Sequence, residues 1–247
     1  MNSPRRIPAA FTLAALAALC AAPGAAAAGD LRFVPYIWIP GVDCTTAFPD
    51  SSTGGELSLD FTQGLKIGGA MVNLAWREGR VVLLGDWTYA NVSSTAPSPY
   101  GTLYSGVSAQ VIGNVGQFFN GYAVLDRPEI TVDLLTGARL YDLRLKAGLE
   151  AGTAEARSVE AHGTWLDAVA AAQVDWRPAD KWHVYVRADV GTGGSNLTWQ
   201  GYLVGAYDFS WGSIVAGWRH LYVDHGSDAL RLKLTLAGPL VGAGFSF

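Results

Sequence analysis

From Leu31 onward, apolar and polar residues alternate. Leu166, Ala168, Ala170, Ala172, Val174 and Trp176 fall on one face of their segment, with Asp167, Gln173 and Asp175 opposite. Trp182, Val184, Val186, Ala188 and Val190 then oppose His183, Tyr185, Arg187 and Asp189. A period of two is the mark of a strand with two unlike faces. The same reading predicts strands over residues 31–41, 66–76, 81–92, 105–124, 131–145, 165–176, 182–190, 197–209, 213–222 and 230–247. Turns at 77–80, 126–129, 178–180 and 208–212 are short. The connections at 43–63, 93–104, 147–163, 192–195 and 224–228 are longer and polar, the first with room for a hairpin extension over 57–61.

Alternating short turns and longer loops, with an even strand count that returns both termini to one side, fit a membrane barrel. The expected fold class is all-β: an antiparallel up-and-down transmembrane β-barrel of about ten strands, with eight or twelve left open by the 43–63 stretch. Closure follows from the solvent, because an open sheet edge is not tolerated in lipid. Tryptophan spacing agrees. Trp76, Trp176, Trp182 and Trp211 lie beside the short turns, and Trp38, Trp87, Trp165, Trp199 and Trp218 lie further along their strands. Ten residues at ~3.3 Å rise and ~40° tilt cover about 25 Å, the height of an apolar band. All nine are therefore expected as membrane-interface aromatics.

In the terminal strand Leu230, Leu232, Leu234 and Leu236 are even-numbered, whereas Val241, Ala243, Phe245 and Phe247 are odd. Either a bulge at Gly238-Pro239 absorbs one residue, or the leucines face inward and make a greasy upper lumen.

The chain of 247 residues is 50% hydrophobic and 15% charged, with 30 Gly, which suits one large β domain better than a helical one. Arg5 and Arg6, the apolar run from Ala9 to Ala22, Pro23-Gly24 and then Ala25 to Ala28 read as a signal peptide over 1–28, leaving a barrel domain over 29–247. Leu19 before Cys20 argues against acylation. Loss of Arg5 and Arg6 with the peptide takes the formal charge from −4 to −6, which argues against a nucleic-acid partner. Cys44 is then the single cysteine, so no internal disulfide forms.

Pro35-Tyr36-Ile37-Trp38 with Gly41, the run Leu135 to Leu143, Trp165-Leu166-Asp167, Arg187 to Gly191, Gly217-Trp218-Arg219, and Gly238-Pro239 before the Phe-Ser-Phe end together resemble small outer-membrane β-barrel proteins of Gram-negative bacteria. The resemblance covers essentially the whole mature chain. It implies a fold, an outer-membrane location and a C-terminal insertion signal at Phe245 and Phe247 read by the barrel-assembly machinery. It carries over no catalytic residues.

The polar faces hold Asp86, Asp133, Arg139, Asp167, Asp175, Arg187, Asp189 and Arg219. In a narrow barrel these are expected to meet in the lumen as ion pairs, since buried charges without partners are strongly penalised. A charge-selective constriction is the functional alternative. Asp224-His225 resembles the rim pair of omptin proteases, but adjacent strand residues face opposite sides. The four histidines are scattered, so neither a metal site nor any other cofactor is expected. Gly191-Thr192-Gly193-Gly194 lacks the Lys-Ser/Thr of a phosphate loop. The reading is a non-enzymatic barrel, monomeric and lipid-embedded, acting as a narrow pore, binding platform or structural barrel. A transporter of a small or hydrophobic solute is the alternative, and a rim hydrolase comes third.

Overall fold

The computed structural model describes residues 29–47, 56–60, 66–97, 104–227 and 231–247. The expected signal peptide and Leu230 lie outside the described residues. Twelve strand segments form one antiparallel sheet. They are β1 (Asp30–Trp38), β2 (Gly41–Ala47), β3 (Glu56–Asp60), β4 (Lys66–Glu78), β5 (Val81–Pro97) and β6 (Tyr104–Arg127), followed by β7 (Ile130–Ala151), β8 (Arg157–Ala179), β9 (Trp182–Gly193), β10 (Ser195–Phe209), β11 (Gly212–Gly226) and β12 (Arg231–Ser246). Sequence neighbours pair from β4 round to β12, and β1 bridges β4 and β12 to close the ring.

The segments make ten staves. β1 pairs with the last part of β12 and β2 with its first part, so the two run along one line. Between them Pro40 has no N–H to give, while Ile39 N–H donates to the Pro239 carbonyl at 3.0 Å and holds the line. On the other flank β4 pairs β1 and β3 pairs β2, which makes the second composite stave. In the 43–63 stretch, expected as a long loop with room for a hairpin extension over 57–61, the described residues 43–47 and 56–60 are paired strand.

Four two-residue turns and both ends of the described chain, Gly29 and Phe247, lie at one end of the ring, here the turn end. At Gly79 the first turn position takes φ 54°, open to glycine without strain. The opposite, loop end is uneven. β6, β7 and β8 run 24, 22 and 23 residues, whereas β9 has 12 and β10 has 15. Of the expected loop at 93–104 the described residues 93–97 and 104 are strand, the one at 147–163 is mostly strand, and that at 192–195 shrinks to Gly194 between β9 and β10.

These misassigned stretches share one cause. On β7, Asp133 and Arg139 point inward while Leu134 and Leu140 are exposed. A few residues on, Leu143 and Leu145 point inward while Asp142, Arg144 and Lys146 point out. The ladder to β8 is unbroken throughout. The backbone keeps its parity and the chemistry changes sides. β12 does the same. Leu232 and Leu234 are buried inside, and pairing with β11 continues without a shift through Gly238 and Pro239. The bulge expected at 238–239 is absent, and the leucines face inward instead.

Two zones follow. Toward the turn end the outer surface is apolar, from Trp176 to Leu166 on β8 and Trp182 to Val190 on β9. That is about ten residues per strand, the length a tilted strand needs to cross hydrocarbon. Above this band the outside is polar, with Arg144 and Lys146 bound to Glu160 at 3.2 and 3.3 Å. The inside there is an ordinary hydrophobic core of Val42, Val92, Val111, Leu143, Leu145, Leu221, Leu232 and Leu234.

Candidate functional site

Among the described residues the interior is the lumen, and side chains fill most of it. Its middle is a polar layer built on two arginines. Arg219, fully buried on β11, forms an ion pair with Asp86 at 3.2 Å and donates to Gln200 Oε1 at 3.0 Å and to Thr88 Oγ1 at 3.0 Å. It also donates to the Tyr36 hydroxyl, which in turn donates to Asp86 Oδ2 at 2.9 Å. Its guanidinium carbon lies 4.6 Å from the Trp38 ring centre, a cation–π contact.

Arg139, fully buried on β7, donates to Asp189 Oδ1 at 2.6 Å, to Gln117 Oε1 at 3.0 Å and to Thr198 Oγ1 at 3.0 Å. Gln117 also donates to Asp86 at 3.3 Å, and Gln200 to Asp189 at 3.2 Å. The two amides thus join the two ion pairs into one sheet of hydrogen bonds across the lumen. Asp167 stands opposite Arg139 in the ladder and accepts the Ser195 backbone N–H at 2.7 Å. Arg187 has no carboxylate partner among the described residues and lies between the rings of Phe119 and Tyr202, at 5.5 and 5.2 Å.

Of the eight expected lumen residues, six sit in this layer. Asp133 and Asp175 lie nearer the turn end, where Asp133 holds Arg77 at 2.6 Å and Asp175 meets His183. Sequence reasoning missed Tyr36, Thr88, Gln117, Thr198 and Gln200. Each shares its strand's inward parity, so parity alone could have found them.

Nine tryptophans were expected on the outer surface, and seven are there. Trp38 and Trp165 are buried inside. Trp38 has the parity of Tyr36, and its indole N–H donates to the Gly238 carbonyl at 3.2 Å. Trp165 has the parity of Asp167 and donates to Ser195 Oγ at 2.8 Å. Its ring lies between Tyr141, at 5.0 Å, and His225, at 3.9 Å. Spacing along the chain suggested the belt, but parity decides the face.

Asp224 and His225 point to opposite sides of β11. Asp224 accepts from Asn196 outside at 3.3 Å. His225 is buried, with its ring nitrogens at the Gly194 carbonyl and the Ser227 hydroxyl, 2.8 and 3.3 Å away. One nitrogen thus meets a hydroxyl and the other a backbone carbonyl, so among the described residues no carboxylate orients the ring as a base on Ser227. No group of three or more His, Cys, Asp and Glu placed to hold a metal occurs among the described residues.

No protein-family model and no curated protein sequence matches the chain. Among solved structures, the outer membrane protease OmpT from Escherichia coli aligns with a TM-score of 0.60 at 8% identity, covering 92% of this chain and 99% of that one. The fold is that of an outer-membrane β-barrel. Weaker matches are the NalP autotransporter translocator domain of Neisseria meningitidis (TM-score 0.41, 14% identity, 96% and 94% covered) and Ail of Yersinia pestis (0.39, 10%, 89% and 98%). At 8% identity the OmpT match shows the fold alone.

As a barrel of this type, the chain has two ends of different character. Toward the loop end the described residues form an apolar cork above the polar layer, with a gap of about 30 Å³ in it, space for a water or two at most. The turn end opens into a vestibule of about 670 Å³. The terminal strand closes the seam: Phe247 and Leu31 exchange backbone bonds at 2.9 and 3.2 Å, and Phe245 stacks outside against Phe33.

Proposed function

We propose that this protein sits in the outer membrane as a barrel closed to ion flow and serves as a binding barrel that faces the periplasm. The observation that carries this is the pair of Arg139 and Arg219 networks spanning the lumen beneath an apolar cork. A hydrated pore needs a continuous polar path. Here the path from the turn end meets the buried ion pairs and then Trp38, Leu143, Leu221 and Leu234.

The apolar band with its seven outward tryptophans supports outer-membrane lipid as the surrounding solvent. The short turns and termini then lie on the periplasmic side. In the same reading Phe245 and Phe247 are recognised by the barrel-assembly machinery, and the barrel works as a monomer.

Planar-bilayer recording tests closure. The wild-type barrel should give no conductance steps, and Trp38→Ala combined with Arg219→Ala should produce them. Discrete wild-type currents would overturn the reading in favour of a pore.

A further inference from the structure

The vestibule at the turn end contains a charge separation that its own side chains do not close. Arg32, inward on β1, lies flat across bare wall toward β9, where Gly244 leaves the room. A Cβ there would sit 2.4 Å from Ser213 Oγ and 3.3 Å from Arg32 Nη2. The guanidinium stacks 4.6 Å from the Tyr185 ring centre and donates to the Tyr185 hydroxyl and to Ser213 Oγ at 3.3 Å. Both partners are neutral, and no ion pair among the described residues includes Arg32.

The carboxylates whose charge acts on Arg32 are Asp175 and Asp208. Neither approaches it within ion-pair distance. Both are instead tied to His183, whose Nε2 is 2.9 Å from Asp208 and whose Nδ1 is 3.4 Å from Asp175. Asp208 remains 41% exposed to the cavity. A guanidinium without a carboxylate thus faces a carboxylate with spare acceptor capacity, and about 670 Å³ of open space adjoins both. That volume lies within the range of small-molecule sites.

We propose that the vestibule binds a small zwitterion entering from the turn end, its carboxylate on Arg32 and its ammonium on Asp208. Arg32 meets a carboxylate as a planar fork, which a point charge would not match. The mixed signs of the lining, with Asp30, Asp175 and Asp208 against Arg32, Arg77 and Arg177, disfavour a ligand of one sign only. The proposal rests on the closed-barrel reading for the side from which the solute arrives.

Titration calorimetry on the mature chain refolded in detergent micelles tests it with three probes: alanyl-alanine, its N-acetyl form and its C-terminal amide. Alanyl-alanine should bind at least about tenfold more tightly than either capped form, a difference of about 1.4 kcal/mol. Arg32→Gln should bind the parent no better than the amide, and Asp208→Asn no better than the acetyl form. Heat-shifted migration on gels identifies the folded variants, and the wild-type comparison stands if a variant fails to fold. Equal binding of capped and free dipeptide, or no binding of the free dipeptide, overturns the proposal. A barrel that conducts ions yet binds the dipeptide loses the closed-lumen reading and keeps the site. A silent barrel that ignores the dipeptide loses the site alone.

Discussion

Buried charge in this lumen comes in two kinds, which respond differently to loss. Arg219 neutralises Asp86 and feeds Gln200, Thr88 and Tyr36. Removing it as Arg219→Met leaves Asp86 buried without a cation and should cost about 3–5 kcal/mol, as for other broken buried pairs. Arg187 has rings rather than a carboxylate for company, and two of its nitrogens lack hydrogen-bond partners. Arg187→Met leaves no orphaned anion, so it should cost less than about 1 kcal/mol or even stabilise. Urea titrations of both variants in lipid vesicles, with Asp86→Leu/Arg219→Met as the paired control, separate the two cases. Equal losses for Arg219→Met and Arg187→Met would mean that the carboxylate pairing does not matter. Cys44 supplies a third residue-scale test. It lies inside the cork above the apolar band, where burial, with Asp43 as the lesser cause, pushes its thiol up to about 12. Its thiolate is therefore scarce near neutral pH, and a thiol-reactive dye should stay silent at pH 8 until the barrel unfolds.

At the scale of the strand, polarity is set by the solvent outside rather than by the fold inside. Within the band the outer solvent is lipid, so outward positions are apolar and the polar ones turn inward. Above it the outer solvent is water and the arrangement reverses on the same strand with no break in register. This explains how much was legible in the sequence. Period-two alternation revealed the strands and the inward side of Asp86, Asp133, Arg139 and Asp189, because in the band composition and face coincide. It failed at residues 147–163 and in the Leu230 to Leu236 run, where polar residues on water-facing strand surfaces look like loop or like a register slip. Trp38 and Trp165 were misplaced for a related reason: an amphipathic ring suits either a membrane interface or a lumen with a polar partner. The inversion yields a paired prediction on β8, where Ala170 and His162 share the outward face. Ala170→Arg, opposite lipid, should cost about 2–4 kcal/mol. His162→Arg, in the watery zone and still able to meet Asp142, should change stability by less than about 0.5 kcal/mol. Similar losses at both positions, read from unfolding midpoints in vesicles, would contradict the boundary between zones.

For the whole molecule, the tall β6–β8 wall raises the question of what closes the barrel: the wall's height or the depth of the cork. The buried cork side chains Leu143, Leu145, Trp165, Leu221, Leu232 and Leu234 begin directly above the polar layer. The hairpin beyond Ala147 and Val159 adds Gly148 to Ala151 and Arg157 to Ser158, which are partly or fully exposed. Because Ala147 pairs with Val159 in the ladder, the residues between them can be replaced by Asn-Gly, a two-residue loop suited to strands already in register. The shortened barrel should keep its heat-shifted migration and remain silent in planar bilayers, since every cork residue is retained. Cutting further, so that Asp142 is joined to Thr164 by the same loop, removes Leu143, Leu145 and Ala161 and exposes the Arg139 layer to water from above. Only this second variant should show current, and the current should carry the mixed-sign character of a lumen lined by Arg139, Asp167, Asp189 and Arg219. Conductance already in the first variant would place the seal in the wall, and silence in both would place it in the polar layer itself.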